Sequence, residues 1–208
     1  MTIDEATELA HELARRAKEM EISPDYVVGI ANGGLLLTKV IATDLNLPFE
    51  MLTIRRRGSL LKEKLGRYPW IINIFSMWYK NEKINLPLIW IMKRMEKLSS
   101  ETLDQSLQHL SGKHILLVDD AIETGQTVAL AKSILHQSEC LSVITSVVTW
   151  SNNHEPEQEK STPEIFIGRT IQHYPWSYNS PFYKDFEHWV KKNKQIDSSV
   201  VVTFDSHF

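Results

Sequence analysis

At 208 residues, 42% hydrophobic and 24% charged, the chain is sized for one domain with room for an elaboration, and it can bury a substantial core. A formal net charge of −3 with a pI near 6.2 argues against a general nucleic-acid surface and leaves only local basic patches open. The single cysteine, Cys140, excludes an intramolecular disulfide framework, and no run approaches the ~20 apolar residues of a membrane span.

The chain opens Met-Thr-Ile-Asp-Glu-Ala, acidic and helical in character rather than a signal peptide, so a cytoplasmic protein is expected. Thr2 and Glu5 have the spacing of a capping box. Residues 3–20 then carry an apolar stripe at helical period: Ile3, Ala6, Leu9, Leu13, Ala17 and Met20. Tyr26–Ile30 reads as a strand, followed by Ala31-Asn32-Gly33-Gly34 and a helix from Leu35 to Leu45. Paired glycines after a strand allow a backbone to approach a ligand closely and to take unusual torsion angles, although a plain tight turn has the same signature. Pro48 interrupts, and Phe49–Ile54 reads as the next strand. Arg55, Arg56 and Arg57 follow its end; if the strand runs on, Arg55 and Arg57 share one side.

Residues 55–112 are far more than a simple crossover needs. They hold an aromatic-rich run, Tyr68 to Tyr79, and a helix-like run from Leu88 to Leu110. That density of aromatic residues belongs to a helical insertion packing on the core, with a dimer surface as the second reading; a homodimer is the expected assembly.

Ile115–Val118 has the short apolar run of a parallel strand buried on both faces, and Asp119 and Asp120 are expected to end it. Glu123-Thr124-Gly125-Gln126-Thr127 leads into a helix over 127–138 with Val128, Ala131, Ile134 and Leu135 on one face. A buried strand thus delivers two carboxylates to its carboxyl end, where open α/β sheets bind ligands. Backbone N–H groups and two Thr hydroxyls at a helix start suit a phosphate. Adjacent carboxylates suit sugar hydroxyls or a hard cation such as Mg²⁺. Leu141–Thr149 and Glu164–Ile167 read as the last core strands. Cys140, between a helix and a strand, reads as a packed thiol, and the eight histidines show no zinc spacing. Strands alternating with helices imply an α/β fold with a mainly parallel sheet flanked by helices.

The string Ile115–Thr127 resembles the phosphoribosyl-pyrophosphate (PRPP) motif of type I phosphoribosyltransferases. The resemblance covers roughly residues 24–56 and 112–178 and is nearest to the xanthine-guanine (6-oxopurine) group. It implies the type I phosphoribosyltransferase fold with a small hood and a helical insertion, a single domain over 1–208 in which 58–112 is the insertion and 150–187 the hood and acceptor region. It implies Mg²⁺ as cofactor and PRPP and a small-molecule acceptor as partners, in nucleotide metabolism. Asp119 and Asp120 would hold the ribose hydroxyls and, through them, the metal. Thr124, Gly125, Gln126 and Thr127 would hold the 5′-phosphate. Asn32, Gly33 and Gly34 resemble the pyrophosphate loop, with Asn32 where the family usually has a basic residue; Arg55 and Arg57 are the candidates for the missing charge. Glu123 stands where an acid near the base could accept an acceptor proton, or could merely cap backbone donors.

Thr170 to Trp176 resembles the aromatic-Pro-Trp segment near the base pocket. Ile171 stands at the stacking aromatic's position, and Thr149-Trp150-Ser151 where a lysine is usual. The acceptor is therefore open, with Pro175-Trp176 and Trp150 read first as packing residues. A non-catalytic PRPP or nucleotide sensor on the same fold is the rival reading.

Overall fold

The computed structural model describes residues 1–30, 33–56, 107–151, 162–169, 171–193 and 199–204. The chain divides into two compact units: Met1–Thr53 with Leu107–Val200, and Ile54–Ser106 with Val201–Phe208. The expected insertion at 58–112 lies outside the described residues up to 106.

In the first unit the elements run α1 (Ile3–Lys18), β1 (Tyr26–Ile30), α2 (Leu35–Leu45), β2 (Phe49–Arg56, its last residues in the second unit), β3 (His114–Ile122), α3 (Gln126–Gln137), β4 (Ser142–Trp150), β5 (Ile165–Phe166) and α4 (Tyr183–Lys192). The second unit's described residues are the end of β2 and most of β6 (Ser199–Phe204). Among its five strands the first unit's order is β5-β4-β3-β1-β2, each neighbouring pair parallel. This is the α/β architecture expected from alternating strands and helices.

The capping box forms: the Thr2 hydroxyl accepts from Glu5 N at 3.1 Å, and the Glu5 carboxylate accepts from Thr2 N at 2.8 Å. It starts α1, whose Ala6, Ala10, Leu13, Ala14 and Ala17 are buried against α2 and the sheet. Alanine on that face lets the two helices approach closely. Leu116 and Val118 of β3 join this cluster. Ile115 and Leu117, equally buried, alternate to the other side, so β3 is covered on both faces.

The strand order decides where a ligand can sit. From β1 the chain goes through α2 to β2 on one side, and from β3 through α3 to β4 on the other. Right-handed crossovers in opposite directions put α2 and α3 on opposite faces. β1 and β3 are neighbours, with Tyr26 opposite Ile115 and Gly29 opposite Val118. The topological switch point therefore lies between their carboxyl ends, where the two connections diverge and leave a crevice.

β3 is longer than its apolar run. Asp119 and Asp120 do not end it; pairing with β4 continues through Asp119 opposite Val147 to Ile122 opposite Trp150. The partner strand keeps satisfying backbone donors and acceptors, so side-chain polarity alone does not stop the strand.

Candidate functional site at the switch point

Two loops leave the switch point, one after β1 and one after β3. In the first, Gly34 is the N-cap of α2 with φ −74°, an ordinary helical value, so its glycine is not explained by unusual torsion as the paired glycines suggested. Space explains it: a Cβ on Gly34 would lie 2.7 Å from the Ile30 carbonyl oxygen and 2.9 Å from that of Val118. A Cβ on Gly33 would overlap the Asp120 carboxylate. Asn32 lies outside the described residues.

In the second loop Gly125 has φ +73°, the left-handed region that favours glycine, and it caps α3. Among the described residues no side chain caps the first turn of α3. Thr124, Gln126 and Thr127 are exposed there, as is Glu123, while Gly125 is buried. The start of α3 therefore presents backbone donors with two hydroxyls beside them, the arrangement expected for phosphate.

The two acids are not equivalent. Successive strand residues point to opposite faces. Asp119 is 7% exposed, and its Oδ1 accepts from Asp120 N at 2.9 Å. Burial pushes its carboxyl well above the usual range, and the Asp120 charge pushes it further. Asp120 turns toward Gly33 and accepts from the Trp176 indole N–H at 2.6 Å through Oδ2. Burial raises its pKa also, opposed by that indole bond.

The segment around Tyr174 is tied to the same strand ends. The Tyr174 hydroxyl lies 3.0 Å from the Asp120 carbonyl and 2.7 Å from Thr149 Oγ1, and Thr149 Oγ1 lies 2.7 Å from the Arg169 carbonyl. Two hydroxyl protons serve three contacts. Burial raises the Tyr174 pKa, which keeps the phenol neutral and able to donate.

Ile171 packs against the core cluster of α1 and α2, and with Gln172 it lines a cavity of about 340 Å³ shared with Glu5, Arg169 and His173. An aliphatic side chain there serves packing. Trp150 and Phe166 meet in a T-shaped contact with ring centroids 5.1 Å apart, also a packing contact. Arg55 is in β2 within the second unit, and Arg57 lies outside the described residues, as do Thr170 and residues 152–161. The Trp176–Asp120 bond was not legible in the sequence. It joins residues 56 apart, and Pro175-Trp176 carried only a packing signal.

Among the described residues no three His, Cys, Asp or Glu side chains gather as a metal cluster, and no helix is long and apolar enough to cross a membrane. Arg169 and Tyr174 lie near the carboxyl ends of β3 and β4.

Comparison with known proteins bears on this geometry. An adenine phosphoribosyltransferase from Nitrosospira multiformis is 29% identical over 126 residues, 61% of this chain and 56% of the relative. A ribose-phosphate pyrophosphokinase from Wolinella succinogenes is 28% identical over 96 residues, 45% of this chain and 31% of the relative. The chain thus spans about half or less of the curated relatives it matches. A purine phosphoribosyltransferase from Pyrococcus horikoshii has the same fold, with a TM-score of 0.52, 14% identity, and coverage of 86% of this chain and 94% of that one. The family model for the phosphoribosyl transferase domain matches residues 2–181, and the chain belongs to that family.

Proposed function

We propose that this protein transfers the 5-phosphoribosyl group of PRPP to a nitrogenous base or similar acceptor and releases pyrophosphate. The observation that carries the reading is the meeting of two loops at one switch point: Gly33, after β1, lies against the carboxylate of Asp120, on the strand that leads to Gly125 and α3.

The roles follow from chemistry. Thr124 to Thr127, with the free amides of α3, would hold the 5′-phosphate. Asp119 and Asp120 would anchor the ribose diol, Asp120 through the oxygen that the indole leaves free. Gly33 and Gly34 would let the backbone approach pyrophosphate, with Asn32 donating hydrogen bonds but no charge. Arg55 and Arg57 are the proposed cations. Glu123 is exposed at the loop and would take the acceptor's N–H proton as the C1–O bond to pyrophosphate breaks and the C1–N bond forms. The protein's contribution is positioning, charge neutralisation and exclusion of water.

Mg²⁺ fits the donor set. Asp119 and Asp120, in the last part of β3, supply hard oxygens, and a metal bound partly through substrate oxygens needs no protein cluster of three. Asp119 and Asp120 would hold it by way of the ribose hydroxyls. When bound it would neutralise charge on the leaving pyrophosphate.

Homodimer formation and a cytoplasmic location belong to the same proposal, as does a single domain over 1–208. Asn32 favours the sensor as the second reading, because it removes a charge from the leaving-group loop. Incubation with Mg²⁺, PRPP and a panel of purines, pyrimidines and amines, following pyrophosphate release, decides between them. Release with one acceptor supports the transferase; PRPP binding without release from any acceptor supports the sensor.

A further inference from the structure

The indole bond to Asp120 is built from several independent contacts. Trp176 stacks on Tyr174 with ring centroids 5.0 Å apart and planes 17° apart, and Phe186 meets it edge-on at 5.8 Å. Two aromatic neighbours leave the indole plane little freedom. Its one N–H then points at Asp120 Oδ2 at 2.6 Å, a short bond for a charge-assisted pair. Gly33 lies against the same carboxylate, nearest to that same Oδ2, and no side chain fits there. The carboxylate is thus met both by a ring donor from the 174–176 segment and by the backbone of the loop after β1.

A carboxylate on a strand can rotate about χ1 and χ2. Left free, Asp120 would turn toward whichever donor was nearest. With Oδ2 held by the indole, the carboxylate cannot turn freely, and the direction of Oδ1 is set before a ligand arrives. Preorganisation of this kind lowers the ordering cost of binding.

We propose that Trp176 is a positioning residue for Asp120: its indole N–H holds one carboxylate oxygen so that the other is aimed at a ribose hydroxyl of PRPP. This rests on the phosphoribosyl reading for the ligand, but the Trp176–Asp120 link can be judged without it.

The test uses the full chain with ¹⁵N-labelled tryptophan and PRPP with Mg²⁺ as the probe. Trp176→Phe keeps a ring and removes the donor. Calorimetry should show PRPP affinity weakened by about tenfold, the usual scale for losing a hydrogen bond to a charged group. Tyr174→Phe is the control. It removes a hydroxyl that bonds the Asp120 carbonyl and leaves the carboxylate's bond intact, so it should lower stability without moving PRPP affinity. In the wild type the assigned indole resonance of Trp176, one of six tryptophans, should shift when PRPP is added, and Asp120→Asn should shift it in the free protein. Unchanged PRPP affinity in Trp176→Phe overturns the proposal. So does an equal loss of affinity in Tyr174→Phe, which would make both residues simple scaffold. If Trp176→Phe does not fold, the wild-type resonance decides: calorimetric binding of PRPP with no shift of that signal is a failure of the proposal. If the wild type binds no PRPP, the phosphoribosyl reading falls; an indole signal that Asp120→Asn leaves in place then removes the positioning role as well, and one that moves keeps it.

Discussion

Gly33 and the carboxylate of Asp120 occupy one contact, so close that a methyl group on Gly33 would overlap the Asp120 oxygens. This contact joins the loop after β1 to the acidic end of β3. Gly34, its neighbour, is instead hemmed by backbone, the carbonyls of Ile30 and Val118. The two glycines should therefore respond differently to alanine. Gly33→Ala pushes on one side chain that the Trp176 indole pins, so it should displace Asp120 and cut pyrophosphate release by about tenfold or more with a modest loss of stability. Gly34→Ala meets backbone that cannot move aside, and should destabilise by ~1–3 kcal/mol. Steady-state kinetics and thermal melts on both variants check the contrast. Equal behaviour would mean that Gly33 is only part of a tight turn.

Asp119 gives a prediction with a definite sign in pH. Burial and the neighbouring Asp120 charge raise its folded pKa above the unfolded value. Its contribution to stability is then fully present below the unfolded pKa and lost as pH rises through the folded one. Asparagine keeps the Oδ1 that accepts from Asp120 N and has no charge to lose. Asp119→Asn should match the wild type near pH 4 and melt about 2–4 °C higher near pH 8, the scale of ~1 kcal/mol in a chain of this size. Turnover should fall in the same variant. A melt that is lower at pH 8 would contradict the buried-charge account.

Thr127→Ala removes one exposed hydroxyl from the first turn of α3, a turn that no side chain among the described residues caps. The expected result is weaker binding of PRPP and of nucleoside 5′-monophosphates with little change in thermal stability. Calorimetry against both ligands checks it; unchanged affinity would take the phosphate site away from this loop.

Thr149 links the Arg169 carbonyl to the Tyr174 hydroxyl. Thr149→Val keeps shape and removes the hydroxyl, so one of three contacts survives. A loss of ~1 kcal/mol is expected, with faster amide exchange over 168–176 than in the wild type. Exchange measured by mass spectrometry tests whether that segment loosens first.

Arg55→Ala with Arg57→Ala tests the charge that Asn32 does not supply. Pyrophosphate release should fall more than binding of ribose 5-phosphate does, since only the former presents the anionic leaving group. Full activity would turn attention to Lys62 and Arg67.

Much of this protein follows from local chemistry. The apolar run Ile115–Val118 marks β3, because a parallel strand buried on both faces tolerates little else, and β-branched residues mark β4. Thr2 and Glu5 mark the start of α1 because each satisfies the other's free N–H. Gly125 marks the turn before α3 because only a residue at ease at positive φ fits it. What the sequence could not set is the relation between distant residues. The end of β3 was misread because pairing with β4, and not side-chain polarity, decides how far a strand runs. The two acids looked like a matched pair in the string Val-Asp-Asp-Ala; the pleat turns them to opposite faces and gives Asp120 alone the indole. Ile171 looked like a vacancy in a stacking site, and the packing of α1 and α2 gives it a core contact instead. Local strings specify which elements form, since their satisfaction is local. Which carboxylate meets which donor depends on crossovers that bring residues 54 and 56 apart in the chain to one point, and only tertiary packing decides that.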